Sequence, residues 1–293
     1  MAYPIRNLPV YAAAFAAVIF GLWWIPVRYL ESLGFHGAWA GLALNAAAVI
    51  AGGCLLILTR SNLSVSRRAL IGAALAGLAA TLYSTAIVYT DVARAVLLFY
   101  LLPAWSKLIE WLFWKQPWRW TSSLAVAAAL LGAFLVLGGK IGGGALNKGD
   151  IMAVCSGMAW AAGAALIFSG GKLPVMPVTF VTVTTAALAA IPFALLAPWP
   201  EVAGMAISVS FGMAVFYIIP LLALSLWSAQ RLAPAVFSFL LTGEILSGVI
   251  SSALFLNEPF GWMQIMGACL IVVAALSEIF SRDDVGELPL HSG

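Results

Sequence analysis

Apolar residues run along this chain in blocks of about 18–24, divided by short polar punctuation. The blocks lie near residues 9–30, 36–58, 69–89, 93–113, 121–139, 150–169, 176–197, 205–228, 233–256 and 262–280. A helix needs roughly 20 apolar residues to cross about 30 Å of hydrocarbon, so each block reads as a membrane span. Inside lipid only helices and closed barrels satisfy their own backbone groups. A barrel would show alternating strands of about 10 residues, and these blocks are longer and uniformly apolar. The pattern predicts an all-α integral membrane protein with ten transmembrane helices.

The pattern also repeats. AVIFGLWW (Ala17 to Trp24) and AVCSGMAW (Ala153 to Trp160) share alanine, valine, glycine and tryptophan at an offset of 136 residues (153 minus 17). WKQPWRW (Trp114 to Trp120) and LNEPFGW (Leu256 to Trp262) share Pro117/Pro259 and Trp120/Trp262, with Gln116 standing where the second phrase has Glu258. The glycine-rich segment KIGGGALNKG, Lys140 to Gly149, lies between the two halves. The expected organisation is a first five-helix repeat at 1–139, a linker at 140–149, a second five-helix repeat at 150–280 and a cytoplasmic tail at 281–293. Five is odd, so the second half enters the membrane from the opposite side. Such inverted repeats are an architecture of secondary transporters, with the substrate bound near the midplane between the halves.

Composition supports a lipid environment. The chain is 63% hydrophobic and 9% charged, with a mean hydropathy of +1.05, whereas soluble domains carry about 25% charged residues. Lysine and arginine sort by loop. With the N-terminus inside, nine lie in inside loops and four in outside loops, with Lys107 within a span. That bias predicts both termini in the cytoplasm. The formal charge of +3 follows from this topology and points to no nucleic-acid partner. Cys54, Cys155 and Cys269 fall inside apolar blocks and read as free, small packing residues.

Enzyme chemistry finds little support. His36 and His291 are the two histidines, one near a loop and one in the tail. Asp91, Asp150, Asp283 and Asp284 fall in loops or the tail, and no phosphate-binding loop is present. No cofactor or metal is expected.

Candidate binding residues are those that are costly or distinctive within a span. Glu244, in LLTGEILSG, sits near the centre of its block, with Ser247 and Phe237 sharing its face. A carboxylate within lipid faces a cavity or a partner. It serves either to bind a substrate ammonium or carry a proton, or to hydrogen-bond a neighbouring helix. Asn45 is mid-span and offers a hydrogen bond to substrate or to another helix. Trp24, Tyr83, Tyr100, Trp105, Trp160 and Tyr217 lie within spans. Their rings suit a cavity for apolar side chains or a cation–π contact to an ammonium, or ordinary helix packing. Lys107 and Glu110 read as an interfacial pair, and Trp111, Trp114, Trp118 and Trp120 as an interfacial belt. Pro26, Pro103, Pro192 and Pro220 interrupt blocks and either kink packed helices or open substrate contacts.

The paired five-span halves, the Gly-x-x-Trp phrase and the acidic-or-amide-Pro phrase resemble the drug/metabolite transporter superfamily, EamA type, over about residues 9–280. The resemblance implies a basket of ten helices around a central cavity. It further implies export of aromatic and other neutral amino acids across the bacterial inner membrane by alternating access, with another small metabolite or drug as the alternative. The expected partners are a lipid bilayer and a small-molecule substrate, an amino acid; the sequence leaves the oligomeric state open, a monomer included. Gln116 departs from the glutamate usual in the family at that position.

Overall fold

A computed structural model describes residues 7–60, 64–115, 120–136, 146–168, 173–202, 204–232, 234–256 and 261–283. Among the described residues there are thirteen α-helices, one π-helical turn and no strand. In order they are α1 (Leu8–Gly21), α2 (Trp24–Ser32), α3 (Trp39–Thr59), α4 (Arg67–Tyr89), α5 (Val92–Phe99), α6 (Leu102–Trp114), α7 (Trp120–Val136), α8 (Lys148–Phe168), α9 (Val175–Ala194), α10 (Gly204–Met213), α11 (Ile219–Ala229), α12 (Pro234–Leu256) and α13 (Trp262–Asp283). The π turn, Ala214–Ile218, joins α10 to α11.

Among the described residues, seven helical runs are long and apolar enough to cross a membrane: Leu8–Ser32, Trp39–Thr59, Arg67–Tyr89, Val92–Phe113, Lys148–Ile167, Val175–Ala194 and Gly204–Ala229. Shorter apolar stretches occupy Val126–Val136, Leu240–Leu256 and Trp262–Ala274. The chain is a multi-pass helical membrane protein.

Among the described residues two apolar blocks are broken and a third passes through a π turn without a break, each beside a proline. α1 stops at Gly21 and α2 restarts at Trp24, placing Pro26 third in the new helix. α5 stops at Phe99 and α6 restarts at Leu102, with Pro103 second. The π turn ends at Ile218, and Pro220 is second in α11. Proline lacks the backbone N–H that an interior helical position donates, but a first turn has no partner for that N–H. The chain therefore restarts its helix just ahead of Pro26 and Pro103, and widens to a π turn just ahead of Pro220. Pro192 instead lies inside α9. Elsewhere ordinary signals act. Ser66 caps α4 by accepting from the Ala69 amide at 3.2 Å, and Arg60 ends α3 in the left-handed region at φ 47°.

Packing is organised around a few long contacts. α4 lies along both α8 and α9, α3 along α9, α7 along α13, α1 against α12 and α11, and α5 and α6 against α8. Polar side chains stitch these pairs. Ser156 donates to the Ala79 carbonyl at 2.7 Å, and Thr81 to the Ala186 carbonyl at 2.7 Å. The three cysteines are exposed on the outer surface rather than packed inside. A small, weakly polar thiol costs little against lipid, so an apolar block does not require it to turn inward. Trp111 and Trp120 also face outward.

The segments holding Gln116, Pro117 and Trp118, Lys140 to Ala145, Asn257 to Phe260 and the tail from Asp284 lie outside the described residues, as do the side chains of Pro103, Glu110, Trp114 and Glu278.

Candidate functional site: a cavity at the helix breaks

The two breaks and the π turn converge on one cavity of about 90 Å³, room for several waters at ~10–15 Å³ each. Trp23 reaches it from the turn between α1 and α2, Tyr100 from the turn between α5 and α6, and Ile218 from the end of the π turn. Broken helices at the centre of a membrane protein expose backbone only where it lines a cavity or is covered by protein, and π turns recur at functional sites.

One wall is the face of α4 carrying Ala76, Ala79, Ala80 and Tyr83, spaced to fall on one side of the helix. Three alanines leave space where larger side chains would close it. The opposing lining includes Phe99 from α5, Trp160 from α8 and Glu244 from α12. Asn45, Thr182 and Ser225 add polar groups from α3, α9 and α11. Neither α7 nor α13 contributes to the lining; these two pack against each other.

Glu244 is held by a neighbour. The Tyr100 hydroxyl donates to its Oε2 at 2.7 Å and approaches the Leu241 carbonyl at 3.0 Å. Asn45 spends one amide hydrogen on the Gly41 carbonyl at 2.8 Å. The Tyr83 hydroxyl and the Trp160 indole N–H make no hydrogen bond to another described residue, so both remain available to a ligand. Phe99 joins the aromatic members. Its ring lies 5.1 Å from that of Tyr83, 5.2 Å from Tyr100 and 6.5 Å from Trp160, within or near the range of favourable aromatic pairs. The described lining contains one acidic side chain and no lysine, arginine or histidine. It can therefore offer an acidic anchor, neutral donors and ring faces to a small organic ammonium. Among the described residues no group of His, Cys, Asp and Glu is placed to hold a metal ion.

Five of the ten residues expected from sequence line this cavity: Asn45, Tyr83, Tyr100, Trp160 and Glu244. The other five stand behind or apart from it. Trp24 is buried and donates its indole N–H to Ser251 Oγ at 2.9 Å, tying α2 to α12. Tyr217 donates to the Ile19 carbonyl at 2.5 Å and packs 5.8 Å from Trp23, backing the wall. Ser247 donates to the Glu244 carbonyl at 3.2 Å. Phe237 is buried, and Trp105 packs against the core with its indole N–H unpartnered among the described residues.

The sequence reading missed Trp23 and Phe99. Trp24 matches Trp160 in the repeated phrase, but the α-helix is interrupted at Leu22–Trp23, and the adjacent Trp23 lines the cavity. α8 has no such break, so Trp160 lines it directly. The usable signal was proline: Pro26 and Pro103 each follow a cavity residue by three or four positions. Nothing in the sequence distinguished the alanines of α4 from the many others.

No curated protein matches the chain. A solved crystal structure resembles it with a TM-score of 0.59 at 19% identity, over 93% of this chain and 97% of that one, and at that identity the likeness speaks for the fold alone. Residues 147–277 match the EamA-like transporter family, so the part of the chain from α8 to α13 that brings Trp160 and Glu244 to the cavity is similar to a family of small-molecule transporters.

Proposed function

We propose that this protein is a secondary transporter that exports neutral amino acids, aromatic ones among them, across the bacterial inner membrane by alternating access, with both termini in the cytoplasm. The observation that carries the substrate reading is the cavity in which Glu244, Tyr83 and Trp160 face a common space. The ammonium meets Glu244 and the ring faces, the carboxylate meets the free donors of Tyr83 and Trp160, and the side chain lies along the alanines of α4. The family match over residues 147–277 supports transport as the activity.

Helix packing supports the inverted repeat. Let the first half be α1 with α2, α3, α4, α5 with α6, and α7, and the second α8, α9, α10 with α11, α12, and α13. Then α3 packs on its counterpart α9, and α7 on its counterpart α13. The contact of α1 with α12 has its counterpart in that of α8 with α5 and α6, and the contact of α4 with α8 in that of α11 with α1. A two-fold axis in the membrane plane would produce this set, and a cavity on such an axis can open alternately to either side.

One observation favours a second reading. With no basic side chain in the described lining, an amine without a carboxylate would lose no ionic partner on entering.

The test is counterflow into proteoliposomes, using labelled phenylalanine, tryptophan, threonine and methionine with 2-phenylethylamine as the comparison. Accumulation of the amino acids against preloaded unlabelled substrate is the expected result. Counterflow of the amine alone would replace the first reading with the second. Equilibration without a counterflow peak would indicate a channel and overturn both.

A further inference from the structure

The glycine of the repeated phrase does the same work twice. A Cβ built on Gly157 of α8 would run into the Phe99 carbonyl, carbon and Cα. A Cβ on Gly21 of α1 would run into the Glu244 carbonyl and the Gly248 amide, at 2.5 and 2.7 Å, and into Ser247 Oγ. Each glycine thus lets its helix close on one carbonyl of a partner helix, Phe99 in α5 for one and Glu244 in α12 for the other. Phe99 and Glu244 thus hold similar places, each with its carbonyl against the glycine of a repeated phrase. The structure places both in the lining of the same cavity, yet one side chain is an uncharged ring and the other a carboxyl group.

From this we infer that Phe99 is the residue that sets selectivity for the substrate side chain, in the same lining as the carboxyl group of Glu244. This inference rests on the transport reading above and adds a residue that reading did not use. Its physical basis is the position of the ring. Phe99 is only 8% exposed and touches Tyr83, Tyr100 and Trp160 at once. It fixes the spacing of the rings that a ligand meets and supplies its own edge to the cavity. Aromatic pairs discriminate by ring quadrupole and shape as well as by area. A leucine there would keep an apolar lining while loosening that array. An aromatic substrate would feel the loss, and a small aliphatic one would not.

The test compares Phe99→Leu and Phe99→Tyr with wild type in proteoliposomes, reading kcat/KM for phenylalanine and for threonine. The expected result for Phe99→Leu is a fall of about ten-fold in the phenylalanine-to-threonine ratio, carried by a higher KM for phenylalanine. Phe99→Tyr retains the ring and is expected to hold the ratio within about three-fold. An unchanged ratio in Phe99→Leu overturns the inference, and so does an equal loss for both substrates, which would mark Phe99 as structural. Should Phe99→Leu fail to give folded protein on size exclusion, Phe99→Met is read by the same criterion. Wild type run in parallel separates the two readings. If it carries only amines, the ratio is taken between 2-phenylethylamine and propylamine; if it carries neither class, the transport reading and this one fall together.

Discussion

The hydroxyl of Tyr100 donates to Glu244 Oε2 across 2.7 Å. This bond joins the break between α5 and α6 to α12, and so links the acidic anchor of the cavity to a point where a helix is interrupted. Glu244→Gln removes the charge and is expected to lower kcat/KM for an ammonium substrate by at least ten-fold. Tyr100→Phe removes only an orienting hydrogen bond worth ~1 kcal/mol, so a loss of about five-fold is expected. Equal effects would show that the bond matters more than the charge. Initial uptake rates over a substrate series supply the comparison.

Trp24 and Trp160 match in sequence and differ in place, and their variants should differ accordingly. Trp160→Ala removes a ring from the cavity lining and is expected to raise KM several-fold while the protein remains folded. Trp24→Phe removes the bond to Ser251 Oγ and is expected to cost ~1 kcal/mol of stability with KM little changed. Thermal unfolding in detergent and uptake kinetics on the same preparations test the pair.

Gly21→Ala and Gly157→Ala each drive a methyl group into a neighbouring backbone carbonyl. Neither helix can yield without its partner shifting, so each change is expected to destabilise the protein by about 1–3 kcal/mol. Gly243 is the control. A Cβ there would meet Ala17 and Val18 side chains at 3.8 and 4.0 Å, ordinary contact distances, and alanine favours the helix. Gly243→Ala is expected to be neutral or slightly stabilising in the same unfolding measurement.

Asp150 anchors a buried polar junction at the start of α8. Arg94 reaches its Oδ2 at 2.6 Å, Thr90 its Oδ1 at 2.8 Å and the Asn147 amide its Oδ2 at 2.9 Å. The carboxylate is fully buried, so losing it takes an ionic partner from Arg94 and a hydrogen-bond acceptor from two other donors. Asp150→Ala is expected to cost about 3–5 kcal/mol. Arg28 and Glu31, a partly exposed pair one turn apart at 3.3 Å, offer the contrast: Glu31→Gln is expected to cost about 1 kcal/mol or less. Parallel thermal shifts of the two variants decide it.

Hydrophobic blocks of span length dictated a helical membrane protein, because lipid offers the backbone no hydrogen bonds and the chain must make its own. Glu244 was legible as a cavity residue for the same reason: an ionisable group in a span is costly and needs a cavity or a partner. Tyr83, Tyr100, Trp160 and Asn45 were legible as polar or aromatic groups at mid-span depth. What periodicity could not carry was direction. The hydrophobic pattern is nearly uniform around these helices, since lipid and a protein core are both apolar, so it did not tell Trp23 from Trp24 or separate the alanines of α4 that line the cavity from those that pack. Only the tertiary arrangement decided that. Helix breaks beside Pro26 and Pro103 and the π turn beside Pro220 set particular side chains against the cavity, and the close approach permitted by Gly21 and Gly157 brought Glu244 and Phe99 to it from helices more than a hundred residues apart in the chain.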